Sequence, residues 1–359
     1  MNKALIAGVA VASLAGYLLA WPVKVQPQAW TPPPAPALTG VYQANDVLKA
    51  TQRIDLGIYG HRGPEDVAIG PDGKLYAGTD DGNILRMALD GNNQQVFANT
   101  GGRPLGLRFD AAGNLIVADA YKGLLSVDAK GVISVLTATD GHTPLNFADD
   151  LDIASDGKIY FSEASSRFPL ADYESDFIEH RGNGRLLVYN PQDRSTRVLL
   201  DGLYFANGVA VSPDRQFVLV AETGKYRVRR YWLQGPQAGR DDIFIDNLPG
   251  MPDGVLSNGK DTFWLTLATP RLADLDQVLP HPWLRRIVAR LPKALSPKPQ
   301  PYGFVLGLNA AGQVTHNLQD PGSNAYSTIT NVIEHDGKLY FGSLHEAAIG
   351  VFPLAKAKP

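Results

Sequence analysis

Six times along the chain, a short alternating apolar stretch is followed by a polar turn and then by a second apolar run. The copies begin at Glu65, Leu105, Asp149, Asn207, Asp253 and Ile329. Alternation with period two marks strands, and a strand–turn–strand unit recurring every ~40 to 60 residues marks an array of equivalent sheets. Seven positions into its unit, an aspartate stands at the turn in four copies: Asp72, Asp156, Asp214 and Asp336. Three of these precede glycine, the pair that tight hairpins favour. Further strands follow in most units, as at residues 123–127 and 184–189. The pattern predicts an all-β fold, a six-bladed β-propeller with four-stranded blades. Residues 41–56 precede the first copy and are expected to supply the outer strand that closes the ring.

Two stretches break the pattern. Between Asp253 and Ile329 the interval is the longest. There, Pro280, Pro282 and Pro292 surround a basic, helix-patterned run at 283–291. It reads as an insertion at about 270–300 over one face of the propeller, a lid or a membrane-touching element, rather than a seventh blade. At the other end, residues 4–21 carry no charge. A helix of that length spans roughly 27 Å, enough for a bilayer core. The sequence Leu18-Leu19-Ala20-Trp21-Pro22 is a poor cleavage site, so residues 1–21 are expected to remain as a signal anchor. Lys3 ahead of the run favours a cytoplasmic N-terminus and an exported, extracytoplasmic propeller. Residues 22–38 hold six prolines and read as a stiff, extended linker. The propeller is expected over 39–359.

Composition narrows the chemistry. The chain has no cysteine, which excludes disulfides, zinc–thiolate and iron–sulfur sites and cysteine nucleophiles. Its net charge of -3 is spread over interspersed acids and bases, so nothing resembles a nucleic-acid footprint. The histidines are scattered, and no serine–histidine–acid arrangement or nucleophile elbow is visible.

The first position of every copy occupies the same place in its own blade, so propeller symmetry brings those side chains towards one axis. Of the six, Glu65, Asp149, Asn207 and Asp253 are oxygen donors. Three carboxylates converging on a buried point repel one another unless they are protonated or hold a cation. All-oxygen donors favour a hard divalent ion, calcium above all. The competing reading makes Asn207-Gly208 and Asp253-Gly254 ordinary turn pairs, yet each unit already has its turn seven residues later. Asp66 and Asp150, each following a candidate ligand, read as solvated strand-edge acids; a second, structural calcium site is the alternative.

In these residues and their spacing the chain resembles the strictosidine synthase-like family, particularly its membrane-anchored members. More distantly it is similar to the paraoxonases and the gluconolactonase group of calcium-dependent propellers. The likeness covers about residues 55–355. It is carried by 102–107 (GRPLGL), 147–152 (FADDLD), 160–166 (YFSEASS), 206–209 (ANGV), 252–254 (PDG) and 334–340 (EHDGKLY). It implies a six-bladed propeller and, in the calcium-dependent hydrolases, a metal held by Glu, Asn, Asn and Asp. Those positions match Glu65, Asp149, Asn207 and Asp253, with Asp149 standing where asparagine is usual. Leu105 stands where paraoxonases carry a histidine. Glu334 matches the glutamate with which the plant alkaloid enzyme condenses an amine with an aldehyde.

The expected function is calcium-dependent hydrolysis of small esters or lactones, with Asp253 as first and Glu65 as second candidate to activate water. The alternatives are a condensing lyase built on Glu334 and a non-catalytic binding propeller with a structural metal. The expected partners are a small-molecule substrate and, through the N-terminal helix, the membrane.

Overall fold

Each strand–turn–strand unit folds into an antiparallel sheet whose innermost strand lies at the centre of the ring. The computed structural model describes residues 3–57, 60–292 and 301–357. In the first complete blade, β2 (Val67–Ile69), β3 (Leu75–Gly78), β4 (Asn83–Met87) and β5 (Gln95–Asn99) pair in chain order. The inner strands of the next blades are β6 (Pro104–Phe109), β10 (Ala148–Ile153), β14 (Ala206–Val211), β18 (Gly250–Ser257) and β22 (Ile329–His335). Among the described residues the strands form six four-stranded sheets, the blades of the expected propeller.

The turn aspartates act as their sequence implies. Asp72, Asp156 and Asp214 each accept a backbone N–H two residues on through Oδ1, which fixes the hairpin between the two inner strands. Packing between blades supplies the core. Ala68, Tyr76 and Ile84 of one blade interlock with Leu107, Leu115 and Val117 of the next. Because both faces of each sheet are covered, the middle strands read as continuous apolar runs; residues 217–222 are all buried.

Ring closure uses strand β1 (Gln52–Asp55), which pairs antiparallel with β24 (Ala348–Pro353) in the register Ile54↔Ile349. The outer strand of the last blade therefore comes from the start of the propeller, within the 41–56 segment expected to supply it.

Three short helices lie between second and third strands of their blades. Helix α2 (Tyr173–Glu179) lies between the second and third strands of its blade, where the sequence pattern showed no insertion. Helices α3 (Ala273–Val278) and α4 (Pro282–Val288) come from the long interval read as an insertion. Helix α1 (Lys3–Ala20) is long and apolar enough to cross a membrane, and none of it is buried in the protein.

The proline-rich segment differs from a free spacer. It is extended but strapped to the propeller: Gln28 N donates to Glu179 O and Trp30 N to Leu279 O. Arg271 reaches Pro33 O and Asn247 reaches Pro34 O. Trp30 stacks on His180 with ring centroids 4.5 Å apart. Proline removes N–H donors but leaves every carbonyl free to accept, so a proline-rich chain can be held by arginine and amide donors.

Candidate functional site

Five of the six first positions meet at one pocket. Glu65, Leu105, Asp149, Asn207 and Asp253 line a cavity of about 130 Å³ on the propeller axis. Bulges aim all but Glu65 there, Glu65 standing just ahead of the regular pairing of β2. Inner-strand register shifts fall between Ala148 and Leu151, Ala206 and Val209, Pro252 and Val255, and Ile329 and Val332. A bulge leaves residues unpaired and turns their side chains out of the regular alternation.

The same bulge corrects the sixth position. In β22 the equivalent residue is Thr330, not Ile329. Thr330 lines the pocket and donates through Oγ1 to Glu65 O at 2.6 Å, whereas Ile329 is buried in the apolar layer between blades. An isoleucine continues the apolar pattern of a strand, so periodicity alone selected it.

The glycines after Asn207 and Asp253 serve the ring rather than a turn. A Cβ on Gly208 would stand 2.3 Å from Val255 N, and one on Gly254 would stand 2.3 Å from Thr330 O. Neighbouring inner strands approach so closely at the axis that no side chain fits between them.

The electrostatics follow from burial. The four candidate ligands are all buried, at 4 to 8% exposure. Burial raises the Glu65 pKa well above its ordinary value, and the charges of Asp149, Asp66 and Asp150 push it further, against Arg103. Asp149 is raised by burial and then by Asp253 and Asp150. Asp253 is raised by burial and then by Glu65, with Asn207 opposing. The Asp253 Oδ1 atom is buried and accepts no hydrogen bond. A donorless carboxylate oxygen among mutually repelling acids suits a hard divalent cation. Among the described residues, however, no group of three or more His, Asp or Glu residues forms a ready-made ion site. The four residues share a pocket without making a closed cage.

Asp66 and Asp150 are not solvated acids. Both are buried, and they meet the guanidinium of Arg108 beneath the pocket. Arg108 Nη1 bonds Asp66 Oδ2 at 2.6 Å, and Nη2 lies 4.0 Å from Asp150 Oδ1. Asp66 also accepts from Val67 N and Leu107 N, and Asp150 from Val209 N. Burial still pushes Asp150 up to about 7, with Arg108 opposing. The position raised as a second calcium site is filled by a tethered side-chain cation.

Two further placements matter. His345, in the loop after β23 (Lys338–Ser343), lines the pocket. Burial lowers its pKa, as do Arg103 and Arg62. It lies outside the repeat positions, so register could not find it. Glu334 is elsewhere. It sits four residues beyond Thr330, about 13 Å along the strand, and accepts from Trp264 Nε1 at 2.8 Å and Asn258 Nδ2 at 3.1 Å. A carboxylate so held braces two blades and does not reach the pocket. Glu334→Gln is expected to change any hydrolytic rate by less than about twofold while costing about 1 kcal/mol of stability; steady-state kinetics and denaturant melts check both.

The fold and site together define a six-bladed propeller with an acidic axial pocket. The family model for strictosidine synthase matches residues 149–236, and that for the strictosidine synthase-like N-terminal region matches residues 40–87. The human adipocyte plasma membrane-associated protein is 35% identical over 353 residues, covering 91% of this chain and 82% of that protein. Strictosidine synthase-like 10 of Arabidopsis thaliana is 35% identical over 342 residues, covering 87% of this chain and 90% of that protein. The chain belongs to the strictosidine synthase-like family. Among solved structures, a gluconolactonase from Xanthomonas campestris superposes with a TM-score of 0.62 at 18% identity, covering 92% of this chain and 98% of that one. A calcium-binding regucalcin from Agrobacterium tumefaciens gives 0.57 at 15% identity, covering 82% and 93%. At such identities these two bear on the fold.

Proposed function

We propose that the chain is a membrane-anchored, calcium-dependent hydrolase of carboxylic esters or lactones, acting in the axial pocket. The observation that carries this is the convergence of Glu65, Asp149, Asn207 and Asp253, from four blades, on one buried cavity in which Asp253 Oδ1 lacks any donor. The relatives' names support the reading: gluconolactonase and calcium-binding regucalcin for the chemistry, plasma membrane-associated protein for the anchor. Helix α1 serves as that anchor, with the propeller on the exported side.

Glu65, Asp149, Asn207 and Asp253 would hold the ion, and bound calcium would polarise the substrate carbonyl and stabilise the developing oxyanion. The chain's own residues do the rest. Asp253 takes the proton from the attacking water as the water oxygen bonds to the carbonyl carbon. It returns that proton to the departing alkoxide when the ester C–O bond breaks. Glu65 is the second candidate for this role. His345, kept neutral by its surroundings, orients water at the wall. Leu105, Phe147 and Phe205 form apolar walls that exclude bulk water and strengthen each polar contact.

The test combines turnover with pH-dependent melting of the full chain. Folded-state carboxyl pKa values here lie above the ordinary 3.8 and 4.5. Without a cation, their contribution to stability is therefore complete below that range. It is lost as pH rises through the folded values, which for Asp150 means about 7. In EGTA the melting temperature is expected to fall between pH 5 and pH 8. In millimolar calcium it is expected to hold, because the ion favours the ionised forms. Arylester and lactone hydrolysis is expected only with calcium. Turnover indifferent to EGTA removes the metal mechanism. A calcium-raised melting temperature with no turnover on either panel makes the protein a binding propeller.

A further inference from the structure

The axial pocket has a larger neighbour. Through Tyr173, Phe177, Met251 and Thr269 it continues into a larger vestibule of about 350 Å³. The vestibule is walled mainly by hydrocarbon: Ile178 from α2, Leu275 and Val278 from α3, Val288 and Leu291 from α4 and the turn after it. A small polar lactone has no use for such a passage, whereas an alkyl chain fills it favourably.

The turn that follows α4, the helix making one wall of the vestibule, grips the candidate membrane span. Arg290 donates from Nε to Trp21 O at 2.6 Å and from Nη1 to Leu18 O at 2.8 Å. Tyr17 Oη donates to Arg290 O at 2.9 Å. These bonds satisfy carbonyls that the C-terminus of α1 leaves free, so the joint is specific rather than a passing contact. The strap that follows is fastened too. Arg167 reaches Lys24 O, Arg181 reaches Gln26 O and Arg285 reaches Gln28 O. The end of α1 is thereby fixed beside α4, with Leu291 the very next residue after its anchor.

Aromatic side chains mark the same side. Trp21 and Trp283 are each 62% exposed. Trp283 stands in the first turn of α4, and Arg290 in the turn that follows the helix. Exposed tryptophans at the end of an apolar span sit at the lipid–water boundary.

We infer that α4 lies on the bilayer surface and that the vestibule behind it takes a long-chain acyl ester or lactone directly from the lipid, delivering its carbonyl to the axial pocket. The surface docking follows from the α1–α4 joint alone, while the substrate's ester or lactone group rests on the hydrolase reading above.

The experiment uses the full chain in phosphatidylcholine vesicles. In its first arm, emission is compared between the parent protein and Trp283→Phe, with acyl-brominated phosphatidylcholine or aqueous iodide as quencher. The Trp283 difference emission is expected to be quenched by the brominated lipid and protected from iodide; the opposite overturns the docking. In the second arm, kcat/KM is measured for p-nitrophenyl acetate and p-nitrophenyl dodecanoate. The dodecanoate-to-acetate ratio is expected to fall at least tenfold in Val288→Asp; an unchanged ratio overturns the assignment of the vestibule to the acyl chain. If neither ester is turned over but Trp283 is quenched by lipid, the hydrolase reading fails and the docking stands. If both esters are turned over and Trp283 is quenched by iodide alone, the docking fails and the hydrolase stands.

Discussion

Asp253→Asn is expected to lower kcat/KM for ester hydrolysis by about 100- to 1,000-fold and, in EGTA at pH 8, to raise the melting temperature. The two effects have one cause. Asp253 shares a buried pocket with Glu65 and Asp149, and each charge makes the others harder to ionise. Neutralising one member lets the remaining pKa values fall back towards their unfolded values. That restores part of the stability lost at high pH, since the loss scales with the difference between folded and unfolded pKa. Catalysis suffers because the amide neither accepts water's proton nor supplies a full charge to the cation. Calcium should no longer raise the melting temperature as is expected of the parent protein. Lost activity with an unchanged melting temperature in EGTA would mean that the carboxylates do not repel one another as described. Retained activity would exclude Asp253 from the reaction.

The largest loss of stability is expected from Arg108→Met. Its guanidinium is the tethered cation between Asp66 and Asp150. Methionine fills similar space without charge and leaves two buried carboxylates facing each other. Removing one partner of a buried ion pair costs about 3–5 kcal/mol, or roughly 10 °C in a domain of this size. Adding Asp66→Asn should recover part of the loss, because the second change removes an unpaired charge rather than a contact. Thermal melts of the three variants decide this. A double variant no better than Arg108→Met would show that shape, not charge, is what Arg108 supplies there.

Local patterns carried the strands, the hairpin turns and the blade count. They carried the shared pocket as well, because Glu65, Asp149, Asn207 and Asp253 occupy equivalent places in a repeat. What escaped depends on contacts between distant segments. Thr330 takes the place assigned to Ile329 because a bulge, not alternation, decides which side chain faces the axis. Asp66 and Asp150 looked like surface acids since their partner, Arg108, comes from the neighbouring blade. His345 enters the pocket from the loop between the second and third strands of its blade, whose length varies too much from blade to blade for register to single it out. The prolines of 22–38 read as an extended linker, but only the folded surface supplies the donors that hold them down.

The pairing of β1 with β24 sets an order on biosynthesis. Strand β1 has no neighbour until β24 leaves the ribosome, so ring closure waits for all six blades. Until then both edges of the unfinished torus remain open to stray pairing. With α1 already threaded into a bilayer, that wait would be spent tethered at one end, and chaperone demand should peak in the interval.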